Sequence, residues 1–232
     1  MATLPLERDG AQSPHVAVAR EILACFRRGE IVDRNLLRHL FEQETGASDS
    51  SGAWSMRQAY DALELAQTLF VAEEDCPLLT GSAGQVLAAL DAFVGHLPVQ
   101  SYRSEEQVEL QQFSTPLPLA FLAGLAAQPR AEDTLLEPSA GNGLLAWPAA
   151  RAKCQLFLNE IDRDRQASLA AAFPGAALSA HDAELIDDLL GSTCRPSLIL
   201  MNPPFGRSAG RGEDRYAAAR HLAAASARLA RG

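Results

Sequence analysis

The sequence predicts an α/β fold: a parallel sheet with crossover helices, its first four strands legible, preceded by a small helical domain. Two observations lead there. After about position 101, short apolar runs alternate with stretches of helical periodicity, strand then helix, four times over, which is the pattern of a sheet built from βαβ units. Before it, apolar residues recur at helical spacing between turn signals. The expected division is residues 1–100 for the helical domain and 101–232 for the α/β domain.

Residues 1–14 read as a loose tail. Val16, Val18, Ile22, Leu23 and Phe26 give a first helix from about His15 to Arg28, stopped by Gly29. Asp33 suits the N-cap of a second helix, running to about Glu44. The polar cluster Gly46 to Gly52 is a turn or linker. Trp54, Tyr60, Leu63, Leu65, Leu69 and Phe70 mark a third helix, and residues 82–96 a fourth, ended by Pro98. No catalytic constellation is visible in this half, which reads as a structural or docking module. In the second half the strands are Thr134–Glu137, Gln155–Asn159, Ala176–Ser179 and Ser197–Met201. The helices are Leu144–Lys153, Arg163–Ala172, Ala183–Leu190 and Asp214–Leu229.

Composition narrows the function classes. The 232 residues are 47% hydrophobic and carry a net charge of −9. A protein that grips DNA unaided usually shows a basic stripe. Any nucleic-acid contact here must therefore come from a local patch or from sequence outside this chain. The four cysteines, Cys25, Cys76, Cys154 and Cys194, form no CxxC pair, and the five histidines show no metal spacing. They point to reduced thiols in a cytoplasmic protein, with no disulfide framework and no metal. Glu7, Arg8 and Asp9 precede any apolar run, which excludes a signal peptide, and no run is long enough to span a membrane.

Ligands of such sheets bind at the carboxyl ends of the strands, so the strand ends carry the functional reading. The first strand runs into Glu137-Pro138-Ser139-Ala140-Gly141-Asn142-Gly143. Two glycines allow a sharp turn and close approach to a ligand at a helix N-terminus; an ordinary βα turn is the plainer alternative. The second ends in Asn159-Glu160-Ile161-Asp162. A carboxylate there can accept from both ribose hydroxyls of a nucleoside cofactor, or it is simply a solvated acid. The third leads to His181-Asp182-Ala183. Asp182 can accept from an adenine amine, or N-cap the following helix, or both; His181 reads as a surface or packing residue.

The fourth strand ends in Asn202-Pro203-Pro204-Phe205, the most specific feature of the chain. Two prolines cannot continue a ladder, so the backbone leaves the sheet with few conformations open to it. The Asn202 side chain and the Pro203 carbonyl are two acceptors held close together, which suits a planar –NH2 group with its two donors. Phe205 offers a face on which a flat ring can stack.

With these residues assembled, the second half resembles a Rossmann-like class I methyltransferase that uses S-adenosylmethionine (SAM) to methylate amines. EPSAGNG is similar to the family's SAM-binding loop, and NPPF to its catalytic (D/N/S)PP(Y/F/W) loop. Glu160 matches the ribose-binding acid, and Asp182 the adenine-binding acid. Upstream, Gln111 to Pro116 resembles the segment in N6-adenine DNA methylases where Phe and Thr-Pro flank the methionine end of SAM; here these are Phe113, Thr115 and Pro116. The runs SEEQVELQQFSTPLPLAF and RPSLILMNPPF resemble the N-terminal part of bacterial, phage and plasmid proteins that fuse such a methylase to a strawberry-notch-like helicase.

The resemblance implies a definite set of roles. SAM is the cofactor and DNA the substrate, with no metal and no membrane. Pro138, Gly141, Asn142 and Gly143 approach the methionine part, Glu137 its amino group, Glu160 with Ile161 the ribose, and Asp182 with Ala183 the adenine. A flipped target adenine is held by Asn202 and Pro203, with Pro204 shaping the loop and Phe205 stacking. The basic loop 206–212 either touches phosphates or is plain surface. The family sheet has seven strands, and the fifth is expected where this chain ends. The expectation is therefore a fragment whose C-terminal partners are the rest of the methylase and a helicase domain.

Two rival readings stay open. The same catalytic loop serves enzymes acting on protein glutamine or on amines in RNA. Alternatively the chain is a non-catalytic SAM-binding or docking part of a methylase–helicase antirestriction protein. A nicotinamide dehydrogenase would leave the NPPF loop without a purpose.

Overall fold

A computed structural model describes residues 13–99, 114–203 and 216–229. Four helices come first. α1 (Pro14–Arg27) starts on a proline, which suits the first helical turn. α2 (Arg34–Thr45) is capped by Asp33, whose carboxylate accepts from Leu36 N at 2.8 Å. α3 (Met56–Ala72) and α4 (Ala83–Gly95) each begin with a capping box, Ser55 with Gln58 and Ser82 with Gln85. α3 is the central element, buried on most of its circumference, its polar face included. α1 and α2 pack against it, and Phe26, Phe70 and Phe93 of α1, α3 and α4 meet at ring distances of 4.9–5.7 Å.

A fifth helix, α5 (Leu117–Ala127), stands where the sequence suggested no element. Its run LPLAFLAGLAA is apolar without period, so periodicity gave no signal. Gly124 lets Pro148 approach; a Cβ there would lie 2.5 Å from Pro148 Cβ.

The sheet that follows has β1 (Thr134–Glu137), β2 (Gln155–Asn159), β3 (Ala177–Ser179) and β4 (Leu198–Ile199), all parallel, in the order β3-β2-β1-β4. The expected fold class is thus the one observed: α/β, with a four-stranded parallel sheet behind N-terminal helices. The strand order reverses direction between β1 and β4, which is where an open α/β sheet leaves a crevice for ligands.

The crossover helices differ in part from expectation. α7 (Arg163–Ala172) lies where it was read, capped by Asp162. The helix expected at Leu144–Lys153 shrinks to α6 (Trp147–Arg151); residues 144–146 continue the turn in which Gly141 and Gly143 have φ of +56° and +83°. The helix expected at Ala183–Leu190 splits into a 3-10 turn (Ala183–Leu185) and α8 (Ile186–Leu189). α9 (Ala217–Ala227) packs on both.

One hydrophobic cluster runs from Val16, Ile22 and Leu65 in the helices through Leu117 to Leu135, Leu158 and Leu200 in the sheet. α3 packs on α6 and α7. His15 of α1 reaches Ser168 of α7 through Nε2 at 3.2 Å. No helix among the described residues is long and apolar enough to cross a membrane.

Candidate cofactor and substrate site

A cleft of about 260 Å³ opens at the carboxyl ends of the strands. Each strand end contributes to it. The turn after β1 brings Glu137, Pro138, Gly141 and Asn142; the end of β2 brings Glu160 and Ile161; the loop after β3 brings Asp182 and Ala183; and Asn202 comes from the end of β4. Thr115, just before α5, completes this set of expected residues. Pro116, Gly143 and Pro203 do not line the cleft. Pro116 caps α5, its carbonyl accepting from Ala120 N at 3.0 Å. Gly143 serves packing instead, since a Cβ there would lie 2.4 Å from the Phe173 ring. Phe113, Pro204, Phe205 and the loop 206–212 lie outside the described residues.

The two acids of the cleft differ in what they accept. Glu160 takes Gly141 N at 2.8 Å on Oε2 and Asp162 N at 2.9 Å on Oε1. It is buried, and desolvation pushes its carboxyl above the usual range. Glu137 is 2% exposed, and its Oε2 has no hydrogen-bond partner. Burial, and then the neighbouring Glu160, hold its carboxyl well above the ordinary value. A buried acceptor without a donor costs free energy, so this oxygen suits a ligand that brings an N–H. Asp182 caps the 3-10 turn, accepting Glu184 N at 2.9 Å, so the capping role read from sequence is present.

Several site residues were missed in the sequence. Asn159 staples two strand ends together: Nδ2 donates to Pro138 O (2.9 Å) and His181 O (2.8 Å), while Oδ1 accepts from His181 N (2.9 Å) and Ser179 Oγ (2.7 Å). His181, read as surface or packing, lines the cleft, as does His221 of α9. His221 Nδ1 is buried without a partner, and burial lowers the ring's pKa.

The helical half, in which no chemistry was read, supplies a buried polar network behind the glycine turn. Asn142 Nδ2 donates to Asp61 Oδ1 at 2.8 Å and to Glu64 Oε2 at 2.7 Å. Thr68 Oγ1 donates to Asn142 O at 2.9 Å. Arg165 Nε, from α7, donates to Asp61 Oδ1 at 3.0 Å. Ser114 Oγ donates to Glu64, and Arg57 pairs with Asp162. Asp61, Glu64 and Thr68 recur at i, i+3 and i+7, one face of α3. That spacing is visible in the sequence, but it looks the same as a solvated stripe. Among the described residues no group of three His, Cys, Asp or Glu side chains could hold a metal ion, and the four cysteines are buried and free.

No protein-family model matches the chain, and no curated protein matches it. Among solved structures it is similar to a Pyrococcus horikoshii protein assigned as an RNA methyltransferase, at 18% identity and a TM-score of 0.47, over 65% of this chain and 70% of that one. It is similar to the methyltransferase subunit of a type I restriction-modification system from Streptococcus thermophilus, at 16% identity and a TM-score of 0.41, over 94% of this chain and 64% of that one. A modification subunit assigned to a type I restriction enzyme of Vibrio vulnificus matches at 16% identity and a TM-score of 0.36, over 57% of this chain and 31% of that one. All three fall below 20% identity and below a TM-score of 0.5. The functional reading therefore rests on the chain's own residues.

Proposed function

We propose that this chain forms the SAM site of an amino-methyltransferase whose acceptor is the exocyclic amine of adenine in DNA. The observation that carries the reading is the position of Asn202. It follows β4 at the point where the strand order reverses and borders the same cleft as Glu137, Glu160 and Asp182. The residues present fit the cofactor. The partnerless Glu137 oxygen suits its ammonium group, Glu160 suits the ribose and Asp182 the adenine. When bound, SAM supplies a methyl group on a sulfonium, open to displacement by a nitrogen lone pair.

The chain's own part is orientation. Asn202 Oδ1 and the Pro203 carbonyl accept from the two hydrogens of a planar amine. This raises electron density on the nitrogen and directs its lone pair. Catalysis of this kind comes chiefly from positioning. With a net charge of −9, the grip on DNA falls to local basic residues such as Arg207 and Arg211 or to sequence beyond the chain. The fusion to a helicase implied by the sequence resemblance belongs to the same proposal, and reading the gene past Gly232 tests it.

The deciding experiment incubates the full gene product with labelled SAM and unmethylated DNA, then identifies the modified nucleoside by mass spectrometry. N6-methyladenine is expected. Asn202→Ala should lower transfer on the order of 100-fold or more, as loss of a transition-state hydrogen-bonding group does, while SAM binding persists. Label on RNA or on a protein glutamine would replace the DNA assignment. SAM binding with no transfer to any acceptor would favour a non-catalytic module.

A further inference from the structure

Three residues that line the cleft come from three separate parts of the chain: Ser114 before α5, Asn142 in the glycine turn and Arg165 on α7. All three are held by two carboxylates of α3, Asp61 and Glu64, neither of which lines the cleft itself. Thr68, on the same face of α3, holds the main-chain carbonyl of Asn142. The asparagine is thus anchored through side chain and backbone at once. The turn it belongs to contains two glycines at positive φ, the residue type with most backbone freedom to lose. A turn that must be ordered by its ligand binds more weakly than one ordered beforehand.

We propose that Glu64 and Thr68 are positioning residues of the cofactor site, pinning Asn142 and Ser114 so that the glycine turn keeps its shape before ligand arrives. The inference rests on the SAM reading for the identity of the ligand, and on the hydrogen bonds alone for the pinning. It makes α3 part of the site rather than a neighbour of it. Desolvation pushes the Glu64 carboxyl above the usual range, which fits a group kept for its hydrogen bonds.

The test uses Glu64→Leu and Thr68→Val, the second nearly conserving volume in case the first fails to fold. Phe26→Leu, in the aromatic cluster of α1, α3 and α4, is the control for destabilisation without contact to the turn. Two quantities are read well below each variant's melting temperature: SAM affinity by calorimetry, and hydrogen exchange at the Gly141 and Gly143 amides. Each α3 variant should bind SAM about tenfold more weakly, the scale of one lost buried hydrogen bond. Exchange at those amides should quicken by a similar factor, with the control unchanged in both. Glu64→Gln retains an acceptor and should restore most of the affinity. Variants that behave like the control overturn the proposal, as does a Glu64→Gln as impaired as Glu64→Leu, which would assign the effect to charge. A wild-type chain that binds no SAM overturns the cofactor reading, and the exchange rates still decide whether α3 pins the turn.

Discussion

At the scale of single residues, the cleft sets two neighbouring acids in contrast. Glu160 is satisfied by two backbone N–H groups, while Glu137 keeps a buried oxygen with no donor. Burial and the charge of Glu160 raise the Glu137 pKa in the folded chain. A carboxyl whose folded pKa is raised contributes stability that is complete below its unfolded value and is lost as pH rises through the folded one. Glu137→Gln keeps the shape and cannot ionise. In the ligand-free chain it should change the thermal midpoint little near pH 4, around the unfolded carboxyl pKa, and raise it at pH values above the folded one. Midpoints measured across that range check the sign; equal shifts at both ends would mean that the ionised carboxylate finds a donor. Asn159 shows a different point. Its four hydrogen bonds hold the loops that carry Pro138 and His181, a role that a single Asn at a strand end does not advertise.

At the scale of elements, the two glycines of the turn do different jobs. Gly141 sits at φ +56° with no foreign atom closer than 4.0 Å to its Cβ position, whereas Gly143 at φ +83° is backed by Phe173 at 2.4 Å. Alanine at 141 therefore meets only the cost of a left-handed backbone, about 1–2 kcal/mol. Alanine at 143 adds overpacking and should cost about 2–5 kcal/mol. Urea unfolding of the two variants gives the comparison; equal losses would mean that Phe173 moves aside freely. The same turn runs on to Ala146, so α6 begins only at Trp147. α5 is the opposite case, a helix with two prolines in or beside its first turn and an apolar run of no period, which exists because the core offers it a place.

At the scale of the whole molecule, the helical and α/β parts share one hydrophobic cluster, and a polar seam crosses between them. The Asp61–Arg165 pair in that seam is 3% and 5% exposed at its side chains. Breaking such a pair strands a buried charge, which is more costly than its net contribution suggests. The two parts should therefore unfold together. Trp54 packs on Phe41 in the helices, and Trp147 on Phe121 beside the sheet. Fluorescence of the two single-tryptophan variants, Trp54→Phe and Trp147→Phe, should give coincident urea transitions. Separated midpoints would instead mean two independently stable units.

From the sequence alone came the fold class, the four helices at the front, and the strand ends at Glu137, Glu160, Asp182 and Asn202. These signals are local: an apolar run, a cap, a glycine or proline punctuating a few neighbouring residues. Their meeting in one cleft follows once the strands are taken as parallel, because all four carboxyl ends then lie on one side of the sheet. Only the tertiary structure decided what stands behind that cleft. A polar i, i+3, i+7 stripe reads the same whether it faces water or another part of the chain. Asp61, Glu64 and Thr68 acquire their role from Asn142 and Arg165, residues more than seventy positions away in the chain, and contacts over such separations are set by packing of the whole core, which no local pattern encodes.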